Sequence, residues 1–206
     1  DSGTAEVNGK SIICRPQREI RDMGVSLIPE DRMTYGIAGS ATIEENLMSD
    51  RIANKKYNKG ALFNTQAMHD DSDQLIKDYK VLCKTRNQQV GMLSGGNIQK
   101  VVVAREFSCN PGFIIADQPT RGIDVGATEF IRKKLVELSR EGAAVLLVSA
   151  DLNEVMELSD SLIVMVNGKI AAYFEDTSML NDTIMGEYML GIKQQSDEEV
   201  RRVIHE

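Results

Sequence analysis

In "MLSGGNIQKVVVAREF", Ser94, Gly95 and Gly96 stand directly before a helical run, so a hydroxyl, backbone N–H groups and the positive helix end would all point one way. Residues of these types in this order suit an anion. Taken alone, a plain glycine-rich cap is the stronger reading. A second stretch changes the balance. "FIIADQPTRGID" is an apolar strand ending in Asp117, and a carboxylate at the C-terminal edge of a strand can hold Mg²⁺. A third stretch, Gly9-Lys10-Ser11, has the ending of a phosphate-binding loop, but the required spacing puts a glycine where the chain has Thr4. Pro16 follows closely and is a poor continuation for the helix such a loop needs. The stretch reads instead as a β-hairpin turning at Asn8-Gly9.

The elements that would carry these groups follow from patterning. "VSLIPEDR" is a short strand stopped by Pro29, and "ATIEENLM" opens a helix with a capping box in Thr42 and Glu45. Residues 47–90 are polar and helical in flavour, an inserted helical subdomain. "GFIIAD" is a strand, "TEFIRKKLVELSREG" an amphipathic helix closed by Gly142, and "AAVLLVSA" a strand buried on both faces. That alternation predicts an α/β protein with a parallel sheet. "DLNEVMELS" starts a helix capped by Asp151, with Glu154 in its first turn, and "SLIVMVNGKIAAYF" is a second hairpin at Asn167-Gly168, finished by Tyr173 and Phe174. Two short helical segments follow Glu175, the last opened by Ser196 and Glu199. The scattered methionines fill gaps in the core.

Composition narrows the function classes. With 206 residues and 42% apolar content the chain can bury a real core. A formal charge of -7 gives no basic surface for nucleic acid, and the one basic cluster, "RIANKKYNKG", reads as a solvated loop. The longest apolar run falls far short of the ~20 residues a membrane-spanning helix needs. Cys14, Cys83 and Cys109 form no C-x-x-C, and His69 and His205 lack partners at ligand spacing, so neither a disulfide partner nor a metal cluster is expected. A reducing, cytosolic setting fits. The opening "DSGT", without methionine, reads as the interior of a longer protein.

Taken together, "LSGGN", "FIIAD" and "RGID" resemble the signature, Walker B and D-loop motifs of the nucleotide-binding domains of ABC transporters. "IPEDRMTYGI" resembles the Q-loop region and "SADLNEV" the switch loop, so the likeness covers nearly the whole chain. "PTRGIDVGA", with "IPEDR" and "LSGGN", is similar to the C-terminal half of duplicated ATPases that energise sugar importers, and "ADQPTRGIDVGATEFI" is closer to the nucleoside-importer branch. The resemblance implies a P-loop NTPase fold of the ABC ATPase type, truncated at its N-terminus. In it, 1–206 would be one nucleotide-binding domain, with 42–106 the helical subdomain, 107–175 the core sheet and 176–206 a C-terminal helical extension.

The same resemblance implies ATP and Mg²⁺ as cofactors. Ser94, Gly95, Gly96 and Gln99 would contact the γ-phosphate in a partner's site, Asp117 would hold magnesium, and Asp124 would link the two sites. Departures from the family pattern weaken this chain's own site. Gln118 stands where a glutamate polarises the attacking water, and a neutral amide cannot take its proton. Ala150 replaces the switch histidine, and Glu30 puts an anion at the Q-loop position. The expected partners are the N-terminal nucleotide-binding domain of the same parent or a second subunit, and transmembrane permease subunits contacted near 30–46. That places the protein in the cytoplasm, on the inner face of the membrane. A soluble ABC ATPase acting on DNA ends or ribosomes would show sustained heptads or a basic face, and neither is present. A regulatory module without turnover is the other reading that Gln118 and Ala150 allow.

Overall fold

Asn8 and Gly9 take φ values of 51° and 71°, the left-handed pair a tight hairpin turn requires, and they join β1 (Glu6–Val7) to β2 (Lys10–Ser11). Gly9-Lys10-Ser11 is therefore a hairpin and not a phosphate loop. The structure, a computed structural model, describes residues 3–58, 62–177, 180–196 and 198–200. Asp1, Ser2, Lys59, Gly60 and His205 of the sequence reading lie outside the described residues. The chain forms two compact units, Asp1–Leu146 and Leu147–Glu206. Among the described residues, no helix is long and apolar enough to cross a membrane.

In the first unit, α1 (Gln17–Asp22) leads into β3 (Val25–Ile28). Next comes one π-helical turn at Arg32–Gly36, started by Asp31, whose carboxylate accepts from the N–H groups of Met33 and Thr34. The expected capping box is present at α2 (Ile43–Met48). Thr42 Oγ1 accepts from Glu45 N at 3.1 Å and Glu45 Oε2 accepts from Thr42 N at 2.7 Å. The 47–90 stretch contributes α3 (Thr65–Asp78), capped by Asn64, with irregular turns on either side of it. α4 (Gly95–Phe107) packs against α2, α3 and β3, burying Val101, Val102, Val103 and Phe107. Each such side chain contributes roughly 1.5–3 kcal/mol by leaving water.

β4 (Phe113–Asp117) pairs in parallel with β3, in register from Val25 opposite Phe113 to Ile28 opposite Ala116. α5 (Val125–Arg140) returns the chain to β5 (Ala144–Val148), giving the sheet order β3-β4-β5. The parallel α/β reading holds. The expectation that "AAVLLVSA" is buried on both faces does not, because Leu146 is 48% and Val148 46% exposed. Ala144, Leu146 and Val148 alternate along the strand and share its more exposed face, while Val145 and Leu147 on the other face are half-buried.

In the second unit, α6 (Leu152–Leu158) is capped by Asp151, and the buried Glu154 accepts from Ser149 Oγ at 2.7 Å. β6 (Leu162–Val166) and β7 (Lys169–Phe174) form the second expected hairpin, turning at Asn167 and Gly168 with φ values of 48° and 76°. They pack with α7 (Asp182–Met189) around Val164, Ala171, Ala172 and Met185, and the Phe174 ring meets Tyr188 edge-on at 5.3 Å. The Ser196–Glu199 box also forms.

Candidate functional site

The first turn of α4 sets the site. Ser94 is its N-cap in an extended conformation, but its hydroxyl does not cap the helix; Oγ accepts from Asn97 Nδ2 at 2.9 Å. Asn97 Oδ1 in turn accepts from Leu82 N at 2.8 Å, which ties the loop to the end of the helical stretch. The first-turn N–H groups of a helix have no intrahelical partners, so this end of α4 offers donors and a positive dipole end to an anion.

The glycines of the loop are set by what lies against them. A Cβ on Gly96 would lie 2.9 Å from Ala127 Cβ and run into the Asp124 carboxylate. A Cβ on Gly95 would sit 3.0 Å from Arg32 Nη2. Asp124 is also the N-cap of α5, accepting from Ala127 N at 2.9 Å. Gly96 and Asp124, assigned to separate motifs by sequence, are thus in direct apposition. Gln99 does not share the exposure of Ser94. It is 2% exposed and its Nε2 donates to Pro119 O at 2.8 Å, so its amide fastens the loop after β4. That inward hydrogen bond is at odds with the phosphate contact expected of it.

Asp117 ends β4, half-buried and outside any ion pair among the described residues. A single unpaired carboxylate at a strand end fits Mg²⁺, which binds through one or two carboxylates plus phosphates and keeps several waters. Gln118 follows with φ at +48°, a left-handed conformation that a glutamine adopts at a cost of roughly 1–2 kcal/mol. Glu30 is half-exposed and ion-paired with Arg121, so its charge is met by a partner at the D-loop. Glu30, Asp31, Arg32, Met33, Arg121 and Gly122 line an open depression of about 480 Å³. Ala150 is an exposed residue of the second unit, immediately before the α6 cap.

Sequence reasoning missed two residues. Arg32 donates from Nη1 to Arg121 O at 2.8 Å and from Nη2 to Gly122 O at 3.1 Å, and Arg121 binds Glu30. No spacing rule signals contacts between residues so far apart in the chain; the only sequence signal is their presence in "IPEDR" and "PTRGID".

The family model described as ABC transporter matches residues 1–121. The chain is similar to the guanosine import ATP-binding protein NupO of Bacillus subtilis, at 41% identity over 84% of this chain and 34% of that protein. It is also similar to the ribose import ATP-binding protein RbsA 2 of Streptomyces coelicolor, at 35% identity over 90% of this chain and 35% of that protein. It therefore spans about a third of the length of these relatives. Among solved structures, the dimeric structure of a bacterial ABC transporter cassette superposes with a TM-score of 0.70 at 21% identity, covering 87% of this chain and 75% of that one, which gives the same P-loop NTPase fold of the ABC ATPase type. With that fold, an α4 N-terminus seated against Asp124, and a family match over more than half of its residues, the chain belongs to the ABC transporter family.

Proposed function

We propose that this chain is part of the ATP-binding subunit of an ABC importer for nucleosides or simple sugars, coupling ATP binding and hydrolysis to uptake. The observation that carries the reading is the start of α4, where Ser94 is exposed, Gly95 half-buried and Gly96 buried against Asp124. Within it, the donors of that turn close over the γ-phosphate of a nucleotide held by a partner nucleotide-binding domain, where preorganised N–H groups stabilise developing charge. Gln99 fastens the adjoining loop, Asp124 seats the signature glycine, and Asp117 would hold Mg²⁺, which supplies charge neutralisation at the phosphates. Gln118 orients water but cannot accept its proton, a difference worth about 10²–10⁴ in rate. With Ala150 at the switch position, this half contributes to the partner's site more than to its own. The permease subunits would hold the assembly at the cytoplasmic face of the membrane. The relative that imports guanosine, at 41% identity against 35% for the ribose relative, favours the nucleoside branch.

A calorimetric titration of the chain with Mg·ATP, repeated with a non-hydrolysable analogue, tests this. No binding to the chain alone at millimolar nucleotide, and binding once a partner domain with an intact phosphate loop is added, is the expected result. Tight binding to the chain alone would overturn the trans-acting reading. No binding in the mixture would favour a regulatory module without turnover, the reading Gln118 and Ala150 support.

A further inference from the structure

We infer that Arg32 is a positioning residue that sets the spacing between the signature loop at 94–96 and the D-loop at 121–124. The inference rests on the proposed function for its consequence, but on geometry alone for its existence.

Arg32 begins the π-helical turn, and its direction is fixed from both sides. Asp31 accepts from Met33 N, Thr34 N and Thr34 Oγ1, while Gly36 folds so close that a Cβ there would lie 3.2 Å from Arg32 Cβ. The guanidinium then reaches across to two successive carbonyls, Arg121 O at 2.8 Å and Gly122 O at 3.1 Å. Gly122 has a φ of +67°, in the left-handed region that favours glycine. A planar fork matched to two acceptors is pre-organised in a way a lysine ammonium is not. The same Nη2 stands 3.0 Å from where a Gly95 Cβ would be, so the group bonded to the 121–122 carbonyls also leaves no room for a side chain at Gly95. Arg32 makes no ion pair among the described residues, and its Nε is buried without a hydrogen-bond partner. Its guanidinium hydrogen bonds go to carbonyl oxygens, and the neighbouring Asp31 carboxylate adds a coulombic attraction. Glu30 reinforces the arrangement by holding the Arg121 side chain. The two side chains of a single short segment thus fasten both the backbone and the side chain of the D-loop.

The spacing matters because displacing a group by about 1 Å from its working position can cost on the order of 100-fold in rate. ATP itself would be gripped by the partner's phosphate loop, so loosening Arg32 should lower kcat while leaving KM for ATP nearly unchanged.

Three measurements test the inference. In the chain itself, thermal unfolding of wild type, Arg32→Ala, Gly95→Ala and the double variant forms a cycle. Gly95→Ala should lower the melting temperature in the wild-type background and much less once Arg32 is gone. Hydrogen exchange of 119–124 should speed up in Arg32→Ala. In the full importer assembly carrying this chain, Arg32→Ala should cut kcat about 10-fold to 100-fold with KM unchanged, and Arg32→Lys should restore part of it. An additive cycle with unchanged exchange, or an unaltered kcat, overturns the inference. Absence of turnover in the wild-type assembly would instead sink the proposed function, and the cycle would then decide on Arg32 by itself.

Discussion

At the scale of single residues, the site depends on side chains that are missing as much as on those present. Gly96 abuts Ala127 Cβ and the Asp124 carboxylate, and Asp124 cannot retreat because it caps α5. Gly96→Ala must therefore push α4 and α5 apart or break the cap. Overpacking of this kind costs about 1–3 kcal/mol, and loss of a cap adds about 1 kcal/mol. Denaturant unfolding should show a lowered midpoint with an unchanged slope; a midpoint equal to that of wild type would mean that the loops are not in contact. The placement of Ser94, Gly95 and Gly96 at a helix start and of Asp117 at a strand end was legible from sequence, because it follows from local pattern, whereas Asp124 as the α5 cap was not. Arg32 and the inward turn of Gln99 were not, because both bond to backbone carbonyls of a distant loop, and a carbonyl carries no sequence signal.

At the scale of elements, local rules read well and long-range ones poorly. Both Asn-Gly hairpins and the capping boxes at Thr42 and Ser196 follow from contacts within a few residues. The exposure of one face of β5 depends on what packs over it, which no local pattern encodes, and the π-helical turn at Arg32–Gly36 has no propensity signature. α2 shows how much a local rule can carry. It is only six residues long, too short to hold itself, and it anchors the segment after the π-helical turn through Asn46, whose Oδ1 accepts from Ala38 N at 2.8 Å. Thr42→Ala removes the hydroxyl that accepts from Glu45 N and should cost about 1 kcal/mol, whereas Thr42→Ser should cost little. Equal stability of the two variants in chemical denaturation would show that the box adds nothing to the packing of α2 on α4.

At the scale of the whole molecule, the charges with resolved shifts lean one way at each end of the pH range. Asp31, Glu45, Asp50, Asp71, Glu137 and Glu199 are all held below the usual carboxylate range. For Asp50 burial pulls the carboxyl upward, but hydrogen bonding and attraction from Arg51 outweigh it; for Asp31 the Thr34 hydroxyl leads, and for Glu45 the Thr42 N–H. A carboxylate with a depressed folded pKa favours folding above its unfolded value, about 4, and gives that up as pH falls through the lower folded value. On the alkaline side, burial first, aided by nearby Asp50, Asp71 and Asp78 respectively, pushes the Cys109 thiol up to about 11 and the Tyr57 and Tyr79 hydroxyls up to about 12. These groups favour folding while neutral, so their contribution is complete below their unfolded values, about 9 to 10, and is lost as pH rises through the folded ones. Thermal unfolding at constant ionic strength should therefore be nearly flat from about pH 5 to 8, and fall below about pH 4 and above about pH 10. Asp50 is the test of the acid limb. It sits between Arg21 at 3.0 Å and Arg51 at 2.8 Å, so Asp50→Asn should give a less stable protein whose melting temperature also varies less between pH 5 and 3. A variant with the full acid slope of wild type would mean that the limb comes from the exposed carboxylates instead, and a drop between pH 5 and 8 would contradict the charge pattern altogether.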